Sequence, residues 1–595
     1  MPSSPNQDGE GVLRLTLQSN GKSLDSLDII SVEVKRAVNA VPSARIVLAD
    51  GDMSTGQWPN SDSEDFAPGA EITVQAGYDD AQETVFSGIV VKVGVRVAGN
   101  NDARLVVECR DKAVRMTIGR RNANFIDLTD SDIIGKLLGN HGLSSDVAST
   151  DTTHKALVQY GCTDWDFLVA RAELNGLLVT TVDGKVTVKP PETSAEPVLA
   201  VTYGNDLIDF HAEMDARNQL QSVTALAWDP ATQALVQGSA CSPASLNAQG
   251  NLDGAKLAKV AGPAKIKVPV ASPLDAGTLK TCGDAHQLKA GLARIRGHLR
   301  FQGSARALPG TLIELKGLGQ RYDGKVFVGA VVHEMADGNW LTEAEFGLAP
   351  DWFTERPDLV SPVAGGWLPA VHGVHIGKVL KLDGDPKGEH RVQIELPLLE
   401  ADTPGIWARL MQFHASNGFG AMFVPEVGDE VLVAFLGDDP SAPVVIGSLY
   451  SSSRQPPYAL EAENKIKAVV TRCMARIEVN DEDKVITIKT PANNTIVLSD
   501  KDKMIMVTDQ TSNEIKLSTD GISVSSPKNI SISAKGSINI DAVGAISIQS
   551  QADVSTKGLN VSCKANVGFS AEGSATAQLS ASGQTVVKGA LVMIN

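Results

Sequence analysis

The residues of this chain best equipped for chemistry are its histidines and its clustered carboxylates. His372 and His375, with His390 downstream, supply the residue types of a metal cluster. Residues three apart, however, fall on opposite sides of a β-period, and no cysteine or carboxylate stands at ligand spacing beside them. Asp164, Asp166 and Glu173 could be read as the paired acids of general acid–base catalysis. Acids at a helix start are already explained by its dipole. Asp481-Glu482-Asp483, and Asp500 with Asp502, read as solvated turns rather than calcium loops. The six cysteines (Cys109, Cys162, Cys241, Cys282, Cys473 and Cys563) lie far apart with no CxxC pair, which argues against a disulfide framework or a structural zinc. Patterns such as GxSxG, HExxH or a P-loop are missing. The sequence therefore assigns no catalytic residue, no cofactor site and no metal ligand, and the chain is expected not to be an enzyme.

Composition points the same way. The 595 residues carry 53 Lys and Arg against 70 Asp and Glu, a net charge of −17. A chain this acidic is poorly suited to gripping phosphates, so no nucleic-acid partner is expected. Hydrophobic residues make up 43% and aromatics only 5%, so small residues and turns outweigh large core anchors. No apolar run approaches the length that spans a bilayer, and residues 1–15 lack the pattern of a signal peptide. Synthesis in a reducing cytoplasm is the expectation.

Three regions differ in character. In the first, to about Pro362, residues 12–17, 29–34, 45–48, 71–76, 85–95 and 103–109 carry strand signals, which suggests an antiparallel barrel or sandwich. Thr129 is placed to cap a helix over Ile133, Ile134, Leu137 and Leu138, ended by Gly139 or Gly142. Thr163 is placed to cap a second, over Trp165, Phe167, Leu168 and Ala172, ended by Gly176. More strands follow from Val198 to Leu348, interrupted by a helix predicted over 284–296 from the spacing of Leu288, Leu292 and Ile295. The expected domains are a barrel at 1–115, an α/β element at 116–197, a second barrel at 198–360, short strands at 371–458 and a repeat region at 465–595.

That last region has no Trp, Tyr or His, and it repeats. Ile522/Val524, Ile530/Ile532, Ile538/Ile540 and Ile546/Ile548 recur every eight residues. Before them, Ile477/Val479, Ile486/Ile488, Ile496/Leu498, Ile505/Val507 and Ile515/Leu517 recur every nine or ten. Each unit is a short strand with one apolar face followed by a turn. Such self-similarity marks a solenoid, because a unit can bury its stripe only by stacking on neighbours. Either one chain coils into a lone β-helix or three chains wind round a common axis; composition does not choose between them.

The middle region carries a resemblance. Val424-Pro425-Glu426-Val427-Gly428-Asp429-Glu430-Val431-Leu432-Val433-Ala434-Phe435, then Gly437-Asp438-Asp439-Pro440 and the run from Pro443 to Tyr450, closely resembles the OB-fold of VgrG and contractile-phage baseplate spikes. Upstream, Asp164, Phe167, Leu168, Arg171, Glu173 and Gly176 are similar to a segment of the VgrG hub. Leu308-Pro309-Gly310 and Tyr322-Asp323-Gly324 look like the close of the hub's second barrel, and the octads resemble the family's needle.

The resemblance implies a mainly β fold: two barrel-like hub domains with an α/β element, an OB-fold barrel, and a C-terminal trimeric β-helix. It implies a structural homotrimer, the hub and cell-puncturing spike of a type VI, phage-tail or phage-tail-like machine. Its partners would be inner tube and baseplate proteins, a PAAR-type tip protein, effector cargo and the target cell envelope. Ile522, Val524, Ile530, Ile532, Ile538, Ile540, Ile546 and Ile548 would line the trimer core. Val592, Met593, Ile594 and Asn595 would meet the tip partner. The iron site that some phage spikes build from His-x-His cannot form, since no histidine follows His414. From Tyr458 to Val469 there is no room for the lysozyme domain that some spikes insert. The alternative is a tailspike-like β-helix that binds receptors or glycans, or degrades polysaccharide. The OB barrel lacks the cluster of exposed aromatics with basic residues that would grip an oligonucleotide; Trp407 and Phe413 are assigned to its core or to trimer contacts.

Overall fold

The computed structural model describes residues 2–8, 11–79, 81–99, 102–397 and 404–594. It divides into two compact units, Met1–Leu449 and Tyr450–Asn595.

In the first unit the six predicted strands form as Leu13–Ser19, Ile29–Ala37, Ser43–Ala49, Glu71–Tyr78, Ala81–Ala98 and Asp102–Arg110. Their alternation sends Val32, Val34, Ile46, Leu48, Ile72 and Val107 into one core. The second set of strands encloses another core around Leu299, Phe301, Ile313, Val328 and Phe346. The two sets are not separate sheets. Ile29–Ala37 pairs antiparallel with Gly324–Ala336, so one thirteen-stranded sheet runs through both. Met335 and Trp340, from the second set, are buried in the first core, where Trp340 stacks on Tyr78 at 5.8 Å.

The seam contains buried polar groups. Arg36 is almost wholly buried and its Nη2 donates to Asp183 at 2.9 Å. Opposite Val34 in the ladder sits His333, also buried. Trp340 Nε1 can only donate, so His333 Nδ1 accepts from it at 3.4 Å, and Thr342 Oγ1 lies 3.0 Å away. The other ring nitrogen, Nε2, is buried without a partner. Burial, and then the nearby Arg36 charge, lower the His333 pKa to about 3.

Helices between the strand sets begin where local chemistry dictates. Thr129 caps Asp130–Asn140 with a reciprocal capping box to Asp132, and Thr163 caps Asp164–Leu174 by accepting from Asp166 N at 3.1 Å. After them, Gly142 and Gly176 adopt φ of 66° and 67°, the left-handed turn that ends a helix. The third helix differs from the prediction. It runs Ala276–Leu292, capped by Asp275, and Ile295 opens the strand Ile295–Gln302. Gly277 and Gly283 dilute the helical pattern at its start, while Ile295 keeps helical spacing by coincidence and is buried in the second core.

The middle strands close into a five-stranded barrel, Val374–Lys381, Val392–Glu395, Ile406–Leu410, Glu430–Phe435 and Pro443–Ser448. A bidentate pair, Arg391 Nη2 and Nε on Asp385 at 2.6 and 3.1 Å, pins the connection between its first two strands. The second unit begins as a seven-stranded antiparallel meander from Ile466–Val470 to Gly521–Ser525.

The His333 environment has a pH consequence. Its folded pKa lies below the unfolded value near 6.5, so the unfolded chain binds the proton first. Stability is then complete above about pH 6.5 and is lost as pH falls toward 3. His333→Gln keeps an acceptor for Trp340 without titrating. Denaturant unfolding of the hub should lose about 2 kcal/mol more in the unaltered chain than in the variant between pH 6.5 and 5. Equal losses would contradict the buried neutral imidazole.

Candidate functional site

The meander turns a repeating sequence into a surface. The six strands from Arg476–Asn480 to Gly521–Ser525 each contribute two aliphatic side chains at their second and fourth positions, and the register sets them directly opposite one another. Ile477 faces Ile488, Ile488 faces Ile496, Ile496 faces Val507, Val507 faces Ile515, and Ile515 faces Val524. A second column runs Val479, Ile486, Leu498, Ile505, Leu517, Ile522 through the same pairs. One face of the sheet therefore carries two continuous rows of branched aliphatics. Nothing within this unit covers them: Ile477 is 51% exposed and Ile522 74%. Each forfeits on the order of 1 kcal/mol of the stabilisation that burial would supply.

The turns of the meander explain its architecture. Each contains one residue in the left-handed region: Met474, Lys484, Asn493, Lys503, Ser512 and Gly521. That residue reverses the chain into an antiparallel hairpin. Beyond Gly521 the described residues contain no further positive φ, and no strand is formed over 526–594. The nine- and ten-residue units and the octads were read as one series. They are two structures: the former, with Ile522 and Val524, pair within the chain, and the octads from Ile530 onward form no strand. Ile530, Ile532, Ile538, Ile540, Ile546 and Ile548 are all exposed, between 52% and 76%. Ile522 and Val524 lie in the last paired strand. At the far end Val592, Met593 and Ile594 are exposed, while Asn595 lies outside the described residues.

The residues that suggested chemistry have ordinary partners. His372 Nδ1 lies 2.9 Å from Asp438 Oδ2, His375 Nε2 lies 3.1 Å from the His372 carbonyl, and His390 occupies a left-handed turn. Among the described residues no group of three or more His, Cys, Asp or Glu could hold a metal ion. Asp164 is buried and accepts from Gln159 Nε2 at 2.9 Å; His141 Nε2 is 2.8 Å from its other oxygen. Asp166 serves the Thr163 cap. Glu173, at the opposite end of that helix, pairs with Lys289 and accepts from Phe353 N at 2.7 Å. The three acids do not converge, and the distant partners of Asp164 and Glu173, His141 and Lys289, left no local mark in the sequence. The Glu173–Lys289 pair forms one wall of a cavity of about 490 Å³ lined by Leu177, Leu288, Leu292 and Trp352. Asp481, Glu482 and Asp483 each pair with a lysine: Lys467 at 3.1 Å, Lys465 at 2.7 Å and Lys501 at 2.9 Å. Cys109, Cys162, Cys241 and Cys282 are buried free thiols, and burial raises the pKa of Cys109 to about 12.

On the barrel, Phe413 is 81% exposed and stacks on the exposed Phe423 at 6.2 Å, which takes it out of the core. The loop that carries them follows the strand Ile406–Leu410 and is tied across by Gln412, whose Nε2 donates to the Phe423 carbonyl at 3.0 Å. Trp407 is partly buried within the strand Ile406–Leu410.

Comparison with known proteins assigns the family. Residues 9–337, more than half of the chain, match the family described as the Alg8 N-terminal domain. Residues 375–450 match the type VI secretion system/phage-baseplate injector OB domain. The spike protein VgrG1b of Pseudomonas aeruginosa is 29% identical over 196 residues, 30% of this chain and 25% of that protein. VgrG3 of Vibrio cholerae is 33% identical over 113 residues, 17% of this chain and 11% of that protein. The chain thus spans a quarter or less of the length of these curated relatives. A 43 kDa prophage tail protein from Shewanella oneidensis has a similar structure at a TM-score of 0.43 and 14% identity, covering 57% of this chain and 98% of its own. Through residues 9–337 the chain belongs to the family described as the Alg8 N-terminal domain, and its injector OB domain and curated relatives make it VgrG-like.

Proposed function

We propose that this chain is the structural hub and cell-puncturing spike of a contractile injection machine, and that it works as a homotrimer without a catalytic centre of its own. The carrying observation is the exposed aliphatic ladder together with octads that form no strand in their own chain over residues 526–594. Three copies wound round one axis would turn those columns inward and supply each other's missing backbone partners. Every layer would then be dry and every amide paired. A shaft bonded along its whole length resists bending and unfolds slowly, which is what force transmission requires.

In this reading the thirteen-stranded hub docks on inner tube and baseplate proteins, the OB barrels form a collar, and the octads extend to the tip. Val592, Met593 and Ile594 offer a tip partner of the PAAR type an apolar seat. The spike is made in the bacterial cytoplasm, assembled into the baseplate and driven into the envelope of a target cell, delivering effector cargo.

Light scattering of the full chain should give about 188 kDa, three times the 62.6 kDa chain mass. A monodisperse single-chain mass would contradict the reading. Ile538→Asp or Ile540→Asp would place three carboxylates in one dry layer, a cost of several kcal/mol per unpaired charge. Either change should abolish trimer yield, and a normal yield would show that these side chains do not point inward. Deleting residues 586–595 should leave the trimer mass intact and eliminate capture of a PAAR-type tip protein. Unchanged capture would rule out a cap seated there.

A further inference from the structure

The OB barrel carries a surface that its own core does not explain. Residues 411–425 leave the strand Ile406–Leu410 as an irregular loop before the strand Glu430–Phe435. The loop is fixed in shape. Gln412 spans it, its Nε2 donating to the Phe423 carbonyl and its Oε1 accepting from Phe423 N, both at 3.0 Å. Ala415 pairs with Gly420, whose φ is 140° and whose absent Cβ would lie 2.7 Å from the His414 carbonyl. On this frame Met411, Phe413, Phe419, Met422 and Phe423 stand 57% to 85% exposed. The barrel's own core, by comparison, consists of eight buried hydrophobic residues. A rigid cluster of aromatic and methionine side chains of this kind marks an interface.

We propose that residues 411–425 pack against the OB barrel of a second copy of this chain and seal the barrels of the trimer to one another. The inference rests on the trimer proposed above and adds to it the surface by which the barrels meet. Residues 411–425 contain no Asp, Glu, Lys or Arg. Freedom from charge suits a surface that meets copies of itself around a threefold axis, where any charge would face its own like. The connection to the meander, residues 449–465, reaches at most about 60 Å. Winding three needles together therefore holds three barrels at high effective concentration, and a modest apolar contact suffices to close them. A lipid bilayer would also accept apolar side chains. The absence of basic residues in the loop and the net charge of −17 both disfavour an anionic membrane surface.

The test uses the full chain with a benzophenone side chain in place of Met422, its mass first measured by light scattering. Irradiation of the assembled protein should give covalent species of two and three chains on a denaturing gel. Adding Phe413→Ser with Phe423→Ser should remove those species. A trimer that yields only single chains on irradiation would overturn the proposal and leave the trimer standing. So would a trimer that instead sediments with phosphatidylglycerol vesicles and cross-links to lipid. A single-chain mass before irradiation would remove the trimer itself, and the seal with it.

Discussion

A backbone amide that leaves water must find an acceptor, and over residues 526–594 this chain forms no strand pairs with itself. The rest of the second unit is shaped by the same requirement. As far as Gly521, one left-handed residue per turn folds each strand back on the last, and the chain meets its own backbone demand. That solution satisfies the amides and leaves the aliphatic columns uncovered. After Ser525 the described residues form no strand pairing inside one chain. In the proposed trimer other copies would meet both demands at once, the hydrogen bonds running along the shaft and the side chains turned to its axis.

The hub follows a different logic. Its core is covered, its helices are capped, and its buried charges are paired: Arg36 with Asp183, Arg171 with Asp130, Lys289 with Glu173. Because Ile29–Ala37 and Gly324–Ala336 pair directly, the two strand sets share one hydrogen-bonded sheet. A load applied to one set passes to the other through a ladder of backbone bonds rather than through a flexible linker. The barrel lies between these extremes, closed in its backbone yet apolar at one loop.

How much of this could be read in the sequence depended on how local its cause was. Thr129 and Thr163 are visible caps because their partners, Asp132 and Asp166, lie three residues on. The first six strands are visible because alternation is a property of each segment. The join between the strand sets was hidden, since it rests on partners as distant as Val34 and His333. The third helix was misplaced at both ends, because Asp275 caps a glycine-diluted turn and Ile295 continued the helical spacing into a strand. In the repeat region the apolar period was plain. The distinction between hairpin units and octads lay in one backbone torsion per turn, at residues as ordinary as Lys484 and Lys503. Phe413 is compatible in sequence with a core or a contact, and its exposure takes it out of the core.

Hydrogen exchange across residues 526–594, followed by mass spectrometry, tests the central claim most directly. In the assembled protein these amides should exchange slowly, and dissociation to single chains should bring them to the rate of an open chain. Fast exchange in the assembled state, or slow exchange in a single chain, would contradict the account.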